Sequence, residues 1–250
     1  MAESLDVQLS ADEALVELAK LCEKRALTYG FLARLYLKEV DADKLEEMRA
    51  LRFPAKTGNA RVDEGYRMMA HFLSNTWPNT LEDLAKDYMR TFIGAGTDGF
   101  SAAYPYESVY TSVERLMMTD ARDEVLAIYR SEGLDKADSW KEGEDHLALE
   151  FEFMQTLARR SAEHLRAGQE DEAAELLHTQ KNFLHDHLLR WVPMLTEDMR
   201  KFAKTELYLG LAALTDGFLE TDREFLETIV DDDEEAGQPK DGEEKETAAE

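Results

Sequence analysis

The sequence predicts an all-α protein, one helical bundle with an acidic tail, and three observations carry that prediction. Apolar residues recur three and four positions apart along most of the chain. No stretch alternates apolar and polar residues with the β-branched enrichment of a strand. From Asp231 to Glu250, ten of twenty residues are acidic, two are Lys, and none is aromatic or large and aliphatic. Such a segment buries too little apolar surface to offset its ordering entropy. The division expected is therefore a helical domain over residues 1–230 and a disordered tail over 231–250.

The elements follow in order. Ser10-Ala11-Asp12-Glu13 has the form of a capping box, in which Ser and Glu side chains satisfy the free N–H groups of a helix start. Behind it Leu15, Leu18, Cys22, Tyr29, Leu32 and Tyr36 mark one buried face. Leu45, Met48 and Leu51 predict a short second helix, stopped at Pro54. Tyr66, Met69 and Leu73 mark a third, ending before Trp77-Pro78. Thr80-Leu81-Glu82-Asp83 reads as a fresh N-cap leading to Leu84, Tyr88 and Phe92.

An irregular segment follows from Ile93 to Glu107, rich in Gly, Ser and Ala, and long loops inside helical domains are usually functional. Helical spacing resumes through Val113, Leu116 and Met117, then Val125, Ile128 and Tyr129, with Gly133 as the C′ residue. The clearest helix carries Leu147, Phe151, Met154, Ala158, Ser161 and Leu165. Ala173, Leu177, Leu184 and Leu188 give another, which Trp191-Val192-Pro193 ends. Thr196 is expected to cap the last, with Phe202, Leu209, Ala213 and Phe218 on its buried face.

Composition narrows the function. The chain has 54 acidic against 29 basic residues, a net charge of −25. Nucleic acids need clustered Lys and Arg against phosphate, so they are disfavoured partners. Anionic membrane surfaces are disfavoured likewise, whereas a cationic partner is steered in. A single cysteine, Cys22, excludes disulfides and multi-cysteine metal sites and fits a reducing compartment. The N-terminus lacks a basic n-region and an apolar h-region, and the longest uncharged stretch, Met68 to Leu81, is too short to span a bilayer. The expected location is the cytoplasm, without membrane insertion.

Several motifs give way to plainer readings. Gly94-Ala95-Gly96-Thr97-Asp98-Gly99 matches G-x-G-x-x-G but follows a helix rather than a strand, so it reads as a flexible loop. Glu175-x-x-His178 has di-iron spacing but lacks a second such pair. His185 and His187 point about 200° apart on a helix and cannot share one ion. No metal and no cofactor are expected. No nucleophile elbow is visible, and Cys22 belongs to the core.

Two segments resist dismissal. Tyr104-Pro105-Tyr106-Glu107-Ser108-Val109-Tyr110 places aromatics and a rigid Pro at the end of the irregular segment. Glu142-Gly143-Glu144-Asp145-His146 gathers acids ahead of Leu147-Ala148-Leu149-Glu150-Phe151-Glu152-Phe153-Met154, where a helix dipole favours them. A packed turn and a plain cap are their structural readings.

These segments carry a resemblance. Asp145-His146 followed by Leu-x-Leu-Glu-Phe-x-Phe-Met is similar to the Glu-Pro-x-Asp-His-x-x-x-x-Leu-x-Phe-Met signature of the TorD/DmsD/NarJ family. Pro105-Tyr106-Glu107-Ser108-Val109-Tyr110 resembles that family's Pro-x-x-Ser-Val-Tyr segment. Phe183-Leu184-x-x-His187-Leu188-x-x-Trp191-Val192-Pro193 resembles its Phe-x-x-His-Leu-x-x-Trp-x-Pro stretch. Gly143 stands where the family usually has Pro, which implies a less rigid loop before Asp145.

The resemblance implies a TorD-like bundle and a cytoplasmic chaperone, not an enzyme. Its partner is the catalytic subunit of a molybdopterin oxidoreductase. The chaperone binds that subunit's twin-arginine signal, or an equivalent N-terminal segment, until cofactor is inserted. It acts as a monomer or a helix-swapped dimer. The peptide site implied comprises Tyr104, Pro105, Tyr106, Ser108, Tyr110, Asp145 and His146. Asp145 would attract the client's arginines and orient His146, while Tyr106 and Tyr110 pack on the apolar h-region. On residue types alone, a helical-bundle hydrolase or metal oxidase, or a general adaptor, stays open beside it.

Overall fold

The capping box at Ser10 forms as the sequence predicts. Ser10 Oγ accepts from Glu13 N at 3.3 Å, and Glu13 Oε2 accepts from Ser10 N at 2.9 Å. It opens α1 (Ala11–Leu37) in the computed structural model, which describes residues 10–54, 56–94 and 101–237. Cys22, Tyr29, Leu32 and Tyr36 of α1 are fully buried.

Nine more α-helices follow among the described residues: α2 (Ala42–Ala50), α3 (Ala60–Ser74), α4 (Thr80–Tyr88), α5 (Glu107–Thr111), α6 (Asp120–Ser131), α7 (Leu147–Arg166), α8 (Glu170–Phe183), α9 (Leu189–Phe202) and α10 (Glu206–Gly237). The structure is all-α. Extended pairing among the described residues is confined to an isolated antiparallel bridge between Tyr106 and His146.

Two long pairings build the core. Helix α7 lies along α1 and buries all six residues of its predicted stripe, while α10 lies along α3. The second pair meets backbone to backbone. A Cβ at Gly65 would sit 2.6 Å from Leu214 N, and one at Gly217 would sit 2.6 Å from Val62 N, so neither position admits a side chain. Arg25 of α1 and Asp222 of α10, both buried, form a two-point ion pair at 2.5 and 3.0 Å, and Tyr29 OH donates to the same carboxylate at 2.7 Å.

Local departures from the sequence expectation have local causes. Leu51 lies beyond α2 and is 44% exposed. Asn79, not Thr80, is the residue before α4; Thr80 Oγ1 instead accepts from Trp77 N at 2.7 Å. Val113, Leu116 and Met117 are not helical. They belong to a non-helical strap, residues 112–119, between α5 and α6.

Trp191-Val192-Pro193 does not end a helix. A π turn over Leu184–Leu188 changes the hydrogen-bond register just before α9, and Pro193 lies inside α9. Thr196 is likewise internal to α9, donating to Pro193 O at 3.0 Å and Asp216 Oδ1 at 2.6 Å. The break comes at Ala203–Thr205. There the Asp87 carboxylate of α4 accepts from Lys204 N (3.0 Å) and Thr205 N (2.7 Å), capping α10 across the fold. Helix α10 continues to Gly237, beyond the boundary expected at Asp231; the rest of the acidic tail lies outside the described residues. So do residues 95–99 of the glycine-rich motif.

Candidate functional site

Extended backbone brings the first two motifs together. Glu107 N donates to Asp145 O at 3.0 Å and Leu147 N donates to Pro105 O at 2.9 Å, so residues 105–107 and 145–147 pair as a short antiparallel ladder. A helix leaves each side of it. Helix α7 starts after His146, whose Nδ1 accepts from Ala148 N at 3.0 Å. Helix α5 starts at Glu107, and its cap comes from across the ladder: Asp145 Oδ2 accepts from Ser108 N at 3.0 Å. One dipeptide, Asp145-His146, therefore caps two helices.

The surroundings set the charge states. Asp145 is 0% exposed and His146 3%. Burial lowers the His146 imidazole to about 3, so it is neutral and its Nδ1 is free to accept. Tyr106 meets the His146 ring edge to face at 4.9 Å, and Trp140 lies 5.8 Å away. Burial and then a hydrogen bond to Glu142 push the Tyr106 hydroxyl well above its ordinary range. Burial opposes ionisation of Glu144, but its hydrogen bonds with Arg122 and Lys136 prevail and hold its carboxyl at about 2. Gly143 packs closely against this cluster, since a Cβ there would sit 2.8 Å from Asp145 Oδ1.

The third motif closes the cluster from below. His187 Nδ1 lies 3.0 Å from the buried Glu107 carboxylate, Trp191 Nε1 donates to Glu150 at 3.3 Å, and Tyr110 stacks on Trp191 at 5.7 Å. Burial, with the Glu107 and Asp145 charges adding, pushes the Glu150 carboxyl up from its ordinary value. Glu107, Glu150, His187 and Trp191 were not among the residues expected at the site. Glu150 was findable, because it falls on the buried stripe of α7 between Leu147 and Met154.

The seven expected residues thus gather at one place, but mostly as interior. Ser108, Asp145 and His146 are buried, while Tyr104, Tyr106 and Tyr110 keep part of each ring open. Asp145 is enclosed, and its Oδ2 caps α5 through Ser108 N. A cleft between α1, α2 and α3, lined by Leu27, Phe31, Lys44 and Phe53, includes none of the seven. Among the described residues no group of three or more His, Cys, Asp or Glu side chains is placed to hold a metal ion.

The ladder and the helices leaving it anchor the strap. Ser108 Oγ accepts from Met118 N at 3.2 Å, and the Arg115 guanidinium covers the Tyr110 ring at 4.8 Å while donating to Asp198 of α9 at 3.0 Å. Arg115 (φ 51°) and Met118 (φ 61°) are held in the left-handed region, costing on the order of 1 kcal/mol each.

Residues 59–197 match the family model described as nitrate reductase delta subunit. The protein is 28% identical over 225 residues to chaperone protein TorD of Vibrio cholerae serotype O1 (classical Ogawa strain), covering 86% of this chain and 97% of that protein. It is 27% identical over 211 residues to chaperone protein TorD of Vibrio parahaemolyticus, covering 82% and 95%. A solved structure from Archaeoglobus fulgidus aligns over 90% of this chain and 99% of its own, at 20% identity and a TM-score of 0.39. The named relatives are chaperones, not catalysts. Because the family match spans more than half the chain and takes in all three motif segments, this protein belongs to the nitrate reductase delta subunit family, with the TorD/DmsD/NarJ maturation chaperones.

Proposed function

We propose that the protein is a cytoplasmic maturation chaperone for a molybdenum-cofactor oxidoreductase. It binds the N-terminal segment of the catalytic subunit, a twin-arginine signal or its equivalent, and holds it until the cofactor is installed. The observation that carries this reading is the family match over residues 59–197, which contains the whole Tyr104–Pro193 motif region. The net charge of −25 suits a cationic ligand. Among the described residues no helix is long and apolar enough to cross a membrane.

In this reading the site residues divide their work. Tyr104 and Tyr106 offer ring surface to the peptide and Tyr110, held against Trp191 and Arg115, flanks them, while Pro105, Ser108, Asp145 and His146 fix the ladder that positions those rings. Calorimetric titration with a synthetic twin-arginine signal peptide tests it. Saturable binding is expected, weakened when the two arginines are replaced by glutamines. Absence of binding to signal or mature N-terminal peptides of molybdoenzyme catalytic subunits overturns it.

A further inference from the structure

We propose that the strap between α5 and α6, residues 112–119, is where the apolar stretch of the client's N-terminal segment docks. The assignment rests on the chaperone reading above and adds a location that none of the family motifs includes. Val113 is 101% exposed, Met118 67%, Met117 53% and Leu116 50%, four large apolar side chains within six residues. Exposed hydrophobics scattered singly are ordinary, whereas a contiguous run marks a binding surface. Met194 (42% exposed) adds to the same side, one turn before Asp198, the α9 residue that holds Arg115.

The strap is held open rather than left loose. Its two left-handed residues, Arg115 and Met118, are those gripped by Asp198 and by Ser108 Oγ, and Ser112 Oγ accepts from Leu116 N at 3.0 Å. Strain persists only where surrounding contacts over-determine it. Here those contacts keep apolar side chains facing water. Methionine, unbranched and polarizable, suits a surface that accepts varied apolar sequences.

Charge selects the occupant. The two arginines of this segment are engaged, Arg115 with Asp198 and Arg122 with Glu144. Glu114, Asp120 and Glu124 carry no ion pair among the described residues. The surface therefore pairs an apolar run with uncompensated carboxylates, the complement of an apolar segment with a cationic flank. A phosphate-bearing surface is repelled by the same groups.

The test compares the wild type with Leu116→Ser/Met117→Ser/Met118→Ser in the full chain. Two peptides are titrated by fluorescence anisotropy: a twin-arginine signal peptide, and the same peptide with its apolar stretch replaced by Gly and Ser. The triple variant should bind the intact peptide at least tenfold more weakly. Its affinity for the Gly/Ser peptide should match the wild type. Val113→Ser, at a fully exposed side chain, repeats the test without a folding cost or a change of charge and should weaken the intact peptide at least threefold. Equal affinity of wild type and both variants for the intact peptide overturns the strap assignment. So does sedimentation showing that a wild-type dimer dissociates in the variants, because the occupant is then a second copy of the chain. A wild type that binds neither peptide, nor mature N-terminal peptides of molybdoenzyme catalytic subunits, overturns the chaperone reading itself, a result distinguishable because no variant is involved.

Discussion

Replacing Asp145 by alanine removes a helix cap rather than an exposed charge, and the consequence can be worked from the structure. The carboxylate is fully enclosed, and its Oδ2 is the acceptor for Ser108 N at 3.0 Å. Loss of this side-chain cap, which leaves the Ser108 N–H buried and unpaired, costs about 1–2 kcal/mol. The expected destabilisation is about 1–2 kcal/mol, or roughly 2–8 °C in Tm for a chain of this size. Asp145→Asn keeps an acceptor oxygen and should recover at least half of it. Thermal unfolding followed by circular dichroism gives the first readout. Limited trypsin digestion gives the second: α5 carries the Ser108 hydroxyl that holds the strap, so cleavage after Arg115 should quicken in the alanine variant. An Asp145→Ala protein that melts with the wild type and resists trypsin equally would refute the capping role and return Asp145 to direct ligand contact.

Three further outcomes are expected. His146 is held near 3 in the fold against about 6.5 when unfolded, so only the unfolded chain takes up its proton between those values; stability should fall by about 1.4 kcal/mol per pH unit below 6.5 from this group. His146→Asn keeps an N-cap acceptor and cannot titrate, so urea unfolding at pH 7 and pH 5 should show a shallower loss; equal slopes count against it. Gly65→Ala drives a methyl into the Leu214 backbone and should cost about 2–3 kcal/mol, read from the urea midpoint, whereas a neutral result would mean that α3 and α10 can part freely. Association with a twin-arginine peptide should slow markedly between low and physiological salt in stopped-flow measurements, since screening shortens to about 8 Å; a flat profile leaves apolar burial as the main term.

The helices were legible where burial and periodicity coincide, as in α7, whose whole predicted stripe lies inside. Val113, Leu116 and Met117 mimicked that spacing without the burial that normally causes it, and so hid the strap. The caps from Asp87 onto Lys204 and from Asp145 onto Ser108 join residues 117 and 37 positions apart, and no local pattern announces such partners. Pro193 reads as a stop unless the π turn before it is known, and nothing in Leu184–Leu188 marks that turn. At the site, Asp145-His146 stood out as acids at a helix start, and the resemblance brought in the tyrosines. Their buried support from His187 and Trp191 depends on contacts across some 40–80 positions, which only the folded chain displays.

The ion pair between Arg25 and Asp222 bears on the order of events during synthesis. The two residues are 197 positions apart, so the ribosome releases α1 long before its counter-charge exists. Until α10 emerges, Arg25 lacks both that carboxylate and the Phe225 ring of α10, over which its guanidinium lies at 4.7 Å. Burial and pairing of Arg25 therefore come together, when α10 delivers Phe225 and Asp222. A nascent copy cut short before that point should be recognised by proteases as unfinished, which limits working molecules to those carrying both partners.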